Sequence, residues 1–147
     1  RFGLYQKDSS GSAPEELFVP APAPSSGGLL PTDWSQDGRF VVYTQYSGSG
    51  RGDLWYVSTS GERKPAPFLQ TEFAELHGQL SPDGRFMAYT SDKTGRSEVY
   101  VRPFPSEPGE WKVSTEGGEQ PRWRRDGAGR RSRGRAQMNC SRREISS

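Results

Sequence analysis

Two residue types able to carry nucleophilic or metal chemistry occur once each, His77 and Cys140. A Cys beside a His can act as a thiolate nucleophile, and both side chains are zinc ligands. Either role needs partners. One Cys closes no internal disulfide and builds no Cys-based zinc site, and one His makes no histidine-rich metal centre. Cys140 has no local His, so His77 reads as a loop or blade-edge residue. Three carboxylates, Asp37, Asp83 and Asp126, recur 46 and then 43 residues apart. As a set they could serve acid/base or metal chemistry. Each is followed by Gly, and the turn reading accounts for them fully: Asp bonds its own backbone and Gly takes positive φ without a Cβ clash. Asp37-Gly38, Asp83-Gly84 and Asp126-Gly127 are therefore expected to be structural turns. The sequence holds no Gly-x-Ser-x-Gly elbow, no phosphate-binding Gly-x-x-x-x-Gly-Lys loop and no kinase His-Arg-Asp or Asp-Phe-Gly. No catalytic, cofactor or metal residue is expected in this chain, and no cofactor.

Other short motifs have plainer explanations. Arg51-Gly52-Asp53 is a tripeptide used in cell adhesion, but a Gly-rich inter-strand loop generates it easily. Asn139-Cys140-Ser141 fits the N-glycosylation pattern only formally. Charge is uneven along the 147 residues: positions 1–127 carry 14 basic and 17 acidic residues, positions 128–147 six Arg and one Glu. All 17 aromatic residues lie in the first part. A basic tail can meet nucleic acid through phosphates. This one lacks aromatics for stacking, and no nucleic-acid partner is expected. No apolar run approaches the roughly 18 residues a membrane helix needs.

The turns belong to repeated elements. With 18 Gly and 12 Pro, the chain has no long 3.6-residue stripe. Three segments align, starting at Asp33-Trp34-Ser35-Gln36-Asp37-Gly38, Gln79-Leu80-Ser81-Pro82-Asp83-Gly84 and Arg122-Trp123-Arg124-Arg125-Asp126-Gly127. The first two continue as Arg-Phe-x-x-Tyr-Thr. Alternation of β-formers predicts strands over 40–44 and 86–90. Aromatic strands follow at 54–57 and 98–102, then further strands at 66–70 and 111–115, with others at 3–6 and 16–19. Each unit of about 45 residues thus holds four short strands and no helix. Short antiparallel strands at a fixed period describe a β-propeller, one blade per repeat. Trp34, Leu80 and Trp123 share one repeat position and Trp55 and Tyr100 another; both sets are expected in inter-blade packing.

The units Trp34-Ser35-x-Asp37-Gly38-Arg39-Phe40-x-x-Tyr43-Thr44 and Leu80-Ser81-Pro82-Asp83-Gly84-Arg85-Phe86-Met87-Ala88-Tyr89-Thr90 resemble the WD40-like PD40 repeat of TolB-type β-propellers. The stretch Ser97-Glu98-Val99-Tyr100-Val101-Arg102-Pro103-Phe104-Pro105, with Trp111-Lys112-Val113-Ser114-Thr115, is similar to the C-terminal propeller of bacterial serine/threonine protein kinases and their non-kinase relatives. The resemblance covers residues 1–127. It implies a periplasmic or otherwise extracytoplasmic propeller that offers a binding surface to a protein or small ligand. It also implies an apolar strand after the third Asp-Gly. Ala128 to Arg135 has no such pattern.

The expected organisation is all-β: a partial propeller of about two to three four-stranded antiparallel blades over 1–127, and a basic tail over 128–147, disordered or frame-shifted. The first residue is Arg1, and the chain reads as part of a longer protein whose remaining blades lie elsewhere. An unclosed array leaves blade faces and strand edges exposed, which predicts association in isolation. The expected function is non-catalytic recognition by displayed loops. Alternatives are the sensor region of a receptor-type kinase whose catalytic domain is absent, or the propeller half of an oligopeptidase.

Overall fold

A computed structural model describes residues 3–22 and 27–124 and the strand 138–141. The strands run in order: β1 (Gly3–Gln6), β2 (Glu16–Pro20), β3 (Gly28–Trp34), β4 (Phe40–Tyr46), β5 (Gly52–Ser58), β6 (Ala66–Leu69), β7 (Glu75–Leu80), β8 (Phe86–Ser91), β9 (Glu98–Pro103), β10 (Trp111–Lys112), β11 (Glu119–Trp123) and β12 (Met138–Ser141). Sequential strands pair antiparallel. β3–β4–β5–β6 form one four-stranded sheet and β7–β8–β9–β10 another, flanked by the two-stranded sheets β1–β2 and β11–β12. The four-stranded sheets are two blades.

Of the four strands expected in each unit, the sequence pattern gives bounds for three in each blade. The structure adds the first, β3 and β7, and its counterpart β11. These three carry Gly, Pro and polar residues, and each loses register once: at Pro31/Asp33, Leu76/Gln79 and Glu119/Arg122. Bulges of this kind erase strict alternation. They touch one another, β3 on β7 and β7 on β11, and so form the inner row of the array.

Two turns join the inner strands to their neighbours with matching geometry. Ser35 Oγ donates to Asp37 Oδ1 (2.6 Å) and accepts from Phe40 N–H (2.9 Å), while Arg39 N–H donates to Asp37 Oδ1 (3.0 Å). The corresponding Ser81, Asp83, Arg85 and Phe86 bonds are 2.6, 3.0 and 3.1 Å, in the order Ser–Asp, Phe–Ser, Arg–Asp. Gly38 and Gly84 stand at φ 74° and 71°, where a Cβ would be strained. Asp126 and Gly127, the third expected turn, lie outside the described residues.

Both faces of the first blade are covered. Val41, Tyr43 and Val57 cluster with Leu4, Phe18 and Val19 of the β1–β2 sheet. Val42 and Leu54, on the other face, cluster with Leu80, Met87, Tyr89, Tyr100 and Phe104 of the second blade. The strands are continuous apolar runs because they are buried on both sides. Phe104 sets edge-on against Phe40 (5.3 Å) and Tyr56 (5.0 Å), and tilted against Phe68 (5.9 Å). Such ring pairs add to area burial. Gly78 lies where a Cβ would stand 3.0 Å from Val42 and 3.1 Å from Leu54, so the inner strand sits tight against the first blade.

Within the basic tail the described residues are Met138–Ser141, which form β12. Its backbone pairs with β11, Trp123 opposite Met138 and Arg122 opposite Asn139. The rest of 128–147 lies outside the described residues.

Two stability predictions follow from the turn and the ring cluster. Ser81→Ala removes the acceptor of the half-buried Phe86 N–H and should cost about 1 kcal/mol or more. Phe104→Ala should cost about 3–5 kcal/mol, since it empties the centre of the inter-blade cluster. Urea unfolding measures both. A change below about 0.5 kcal/mol in either would contradict the packing described.

Candidate functional site

The inner strands bring polar side chains from three sheets to one surface. Leu30, Pro31 and Thr32 of β3, His77 and Gln79 of β7, and Gln120 and Arg122 of β11 line a cavity of about 220 Å³. His77 and Gln120 occupy equivalent bulge positions with φ 57° and 52°. Non-glycine residues are rare in that region, and such strain gathers at functional sites. The row is cross-linked. Gln79 Nε2 donates to Thr32 O (2.5 Å), Leu80 N–H to Asp33 Oδ2 (2.7 Å), and Trp123 Nε1 to Gln79 O (2.9 Å). His77 Nδ1 lies 3.4 Å from Thr90 Oγ1. The inner strands are thus fixed to one another by bonds that run from blade to blade. A smaller cavity of about 120 Å³ at the turn end is lined by Asp33, Trp34, Leu80 and Trp123 among others.

The sequence-predicted packing residues separate on this surface. Leu80 and Tyr100 are buried in the inter-blade cluster, and Trp55 packs half-buried against the β1–β2 cluster. Trp123 is half-buried, with its indole N–H on the neighbouring inner strand. Trp34 departs from the expectation: it is 56% exposed. Its indole N–H turns back to Gly38 O of its own turn (3.2 Å). Among the described residues β3 is contacted by β1 and by β7 of the second blade.

Asp37 and Asp83 are each engaged within their own turn and do not converge. Hydrogen bonds from Ser35, then from the Arg39 backbone, hold Asp37 below the usual carboxylate range. Among the described residues no group of three or more His, Cys, Asp or Glu could hold a metal ion, and no helix is long and apolar enough to cross a membrane. Cys140 lies in β12. The Arg51-Gly52-Asp53 tripeptide is not a displayed loop. Gly52 and Asp53 belong to β5, paired with Tyr46 and Gln45, and Gly52 is buried. A Cβ there would meet Leu76 at 2.5 Å and Thr44 at 2.6 Å.

The equivalent segment of the second blade, Arg96 to Glu98, forms a clamp on a buried carboxylate, with Arg96 exposed. Glu98 is 1% exposed. It accepts from Ser114 Oγ, Arg96 Nε (2.8 Å) and Gly117 N–H (3.1 Å). The Ser114 bond above all, with those from Arg96 and Gly117, outweighs burial and holds the Glu98 carboxyl below its ordinary value. The clamp ties the start of β9 to the segment after β10.

Sequence reasoning did not single out Gln79, Gln120 and Arg122 as site residues. The signal was present. Asp33, Gln79 and Arg122 all precede the shared Trp/Leu position, and all three are polar.

Comparison with solved structures gives the same fold. A protein described as TolB from Agrobacterium tumefaciens superposes with a TM-score of 0.62 at 18% identity, over 76% of this chain and 38% of that one. TolB from Acinetobacter baumannii superposes with a TM-score of 0.60 at 20% identity, over 79% of this chain and 27% of that one. The chain has the fold of part of these β-propellers and spans well under half the length of either structure. A relationship to kinases is not shown by these likenesses. No family model matches the sequence, and no curated protein does.

The Glu98 clamp makes an acid-stability prediction. A depressed native pKa stabilises the fold above the unfolded value, and the stabilisation is lost as pH falls through the native one. Glu98→Gln should therefore flatten the stability profile below about pH 4.5, the ordinary Glu value, in urea titrations at stepped pH. An unchanged acid limb would contradict the clamp.

Proposed function

We propose that this chain is a non-catalytic recognition segment of a propeller, and that it takes a protein or small polar ligand at the inner-strand surface. The observation that carries this reading is the convergence of Thr32, His77, Gln79, Gln120 and Arg122 on one cavity from three separate strands. The blades act as a rigid frame. Blade-to-blade hydrogen bonds fix the inner strands before a partner arrives, so binding spends little ordering entropy. Arg122 offers a fork of N–H donors, Gln79 and Gln120 offer donors and acceptors, and Leu30 and Pro31 supply an apolar floor. An extracytoplasmic setting belongs to the same proposal and rests on the PD40 resemblance.

The test is site-resolved photo-crosslinking with the full chain in cell-envelope extract. A crosslinking residue at Gln120 should capture one discrete partner, and Arg122→Ala should remove most of that capture. The same crosslinker at Lys112, on the outer strand, should not capture it. Equal capture from Lys112, or capture indifferent to Arg122, would overturn the assignment.

A further inference from the structure

A second cavity lies away from the inner strands, between the outer part of the first blade and the facing surface of the second. It measures about 380 Å³, and Leu69, Phe73, Glu75, Tyr89, Lys93 and Glu110 are among its lining residues. That volume is within the range of small-molecule sites. Its polar groups are not equally satisfied. Lys93 Nζ and Glu110 Oε2 form an ion pair at 2.6 Å, and Tyr89 OH donates to Glu110 Oε1. Arg102, also on the wall, donates to Gly109 O (3.4 Å). Glu75 is different. It is 1% exposed; Oε1 accepts from Thr71 Oγ1, and Oε2 has no hydrogen-bond partner among the described residues. A buried carboxylate oxygen left unpaired is costly, and more so when the group is charged.

We propose that this cleft binds a small organic cation, a primary ammonium on an apolar stem, with Glu75 as its counter-ion and Leu69, Phe73 and Tyr89 as its walls. An ammonium brings both things Glu75 lacks, an N–H donor for Oε2 and a compensating charge. The aromatic walls suit a cation and its stem together. Lys93 and Arg102 do not compete, because Lys93 is held by Glu110 and lies 4.1 Å over the Tyr100 ring, and Arg102 is turned to Gly109. The site shares no lining residue with the inner-strand cavity, so the two readings stand or fall separately.

Burial first, and the nearby Asp53 and Asp92 with it, raise the Glu75 pKa against lowering hydrogen bonds from the Thr71 side chain and backbone. For Glu110 burial acts the same way but is outweighed by Lys93 and Tyr89, so Glu110 is held low. Affinity should fall as pH drops through the raised Glu75 pKa.

The experiment is an amide-shift titration of the full chain with n-butylammonium chloride, against butan-1-ol at equal concentration. The ammonium should perturb Phe73, Glu75 and Tyr89 and the alcohol should not. Glu75→Gln should weaken binding by about tenfold or more. Phe73→Ala, which leaves the carboxylate in place, should weaken it less. Nα-acetyl-lysine methylamide as a second arm separates a free amine from a lysine side chain; Glu75-dependent binding of either supports the site. Equal binding of alcohol and ammonium, no binding of either cation, or full affinity in a folded Glu75→Gln chain would overturn it.

Discussion

A four-stranded blade has two faces, and in this chain each face of the β3–β6 sheet is covered by a different neighbour. Val41, Tyr43 and Val57 need the β1–β2 sheet, and Val42 and Leu54 need the second blade. Neither sheet can bury its apolar residues alone, which is the general condition of repeat architectures. The rest of the structure depends on this constraint. Both strand faces must be apolar, the glycine of the inner strand must let the blades approach, and an aromatic plug, Phe104, must fill the space where the blades diverge. The turns matter because they fix the register in which those faces meet.

The repeat was legible because it combines turn chemistry with strand chemistry at one period. Asp37-Gly38 and Asp83-Gly84 mark the start of β4 and β8 in sequence, and in space the Ser-x-Asp turns superimpose bond for bond. The inner strands were not legible. Pro31, Gly78 and Pro121 and the bulges break their alternation, because these strands line the 220 Å³ polar cavity on one side and do not need a uniform apolar face. The Arg51-Gly52-Asp53 tripeptide shows the opposite error. It reads as a loop from composition, yet its Gly is there because Leu76 and Thr44 leave no room for a side chain. Trp34 illustrates what a repeat position alone does not fix. Identity at equivalent positions specifies the same local backbone, whereas burial depends on what the next blade brings.

The candidate sites follow from the same frame. Where inner strands from successive blades meet, polar residues at one repeat position converge without being close in sequence, and the strained φ values of His77 and Gln120 are held by the bonds around them. Where outer strands diverge, a cleft remains with one buried carboxylate oxygen unpaired at Glu75. A propeller therefore makes two kinds of site from one repeat, an axial one shared by many blades and a lateral one private to a pair. The fold leaves the chemistry of each to the few residues that line it.

The most direct test of the shared inter-blade core is native-state hydrogen exchange, comparing the amides of Val42 and Leu54 in the first blade with those of Met87 and Tyr89 in the second. One cooperative core predicts that all four open with the same free energy and respond equally to denaturant. Separate opening of the two blades, with distinct free energies and denaturant slopes, would contradict the claim that each is stable only against the other.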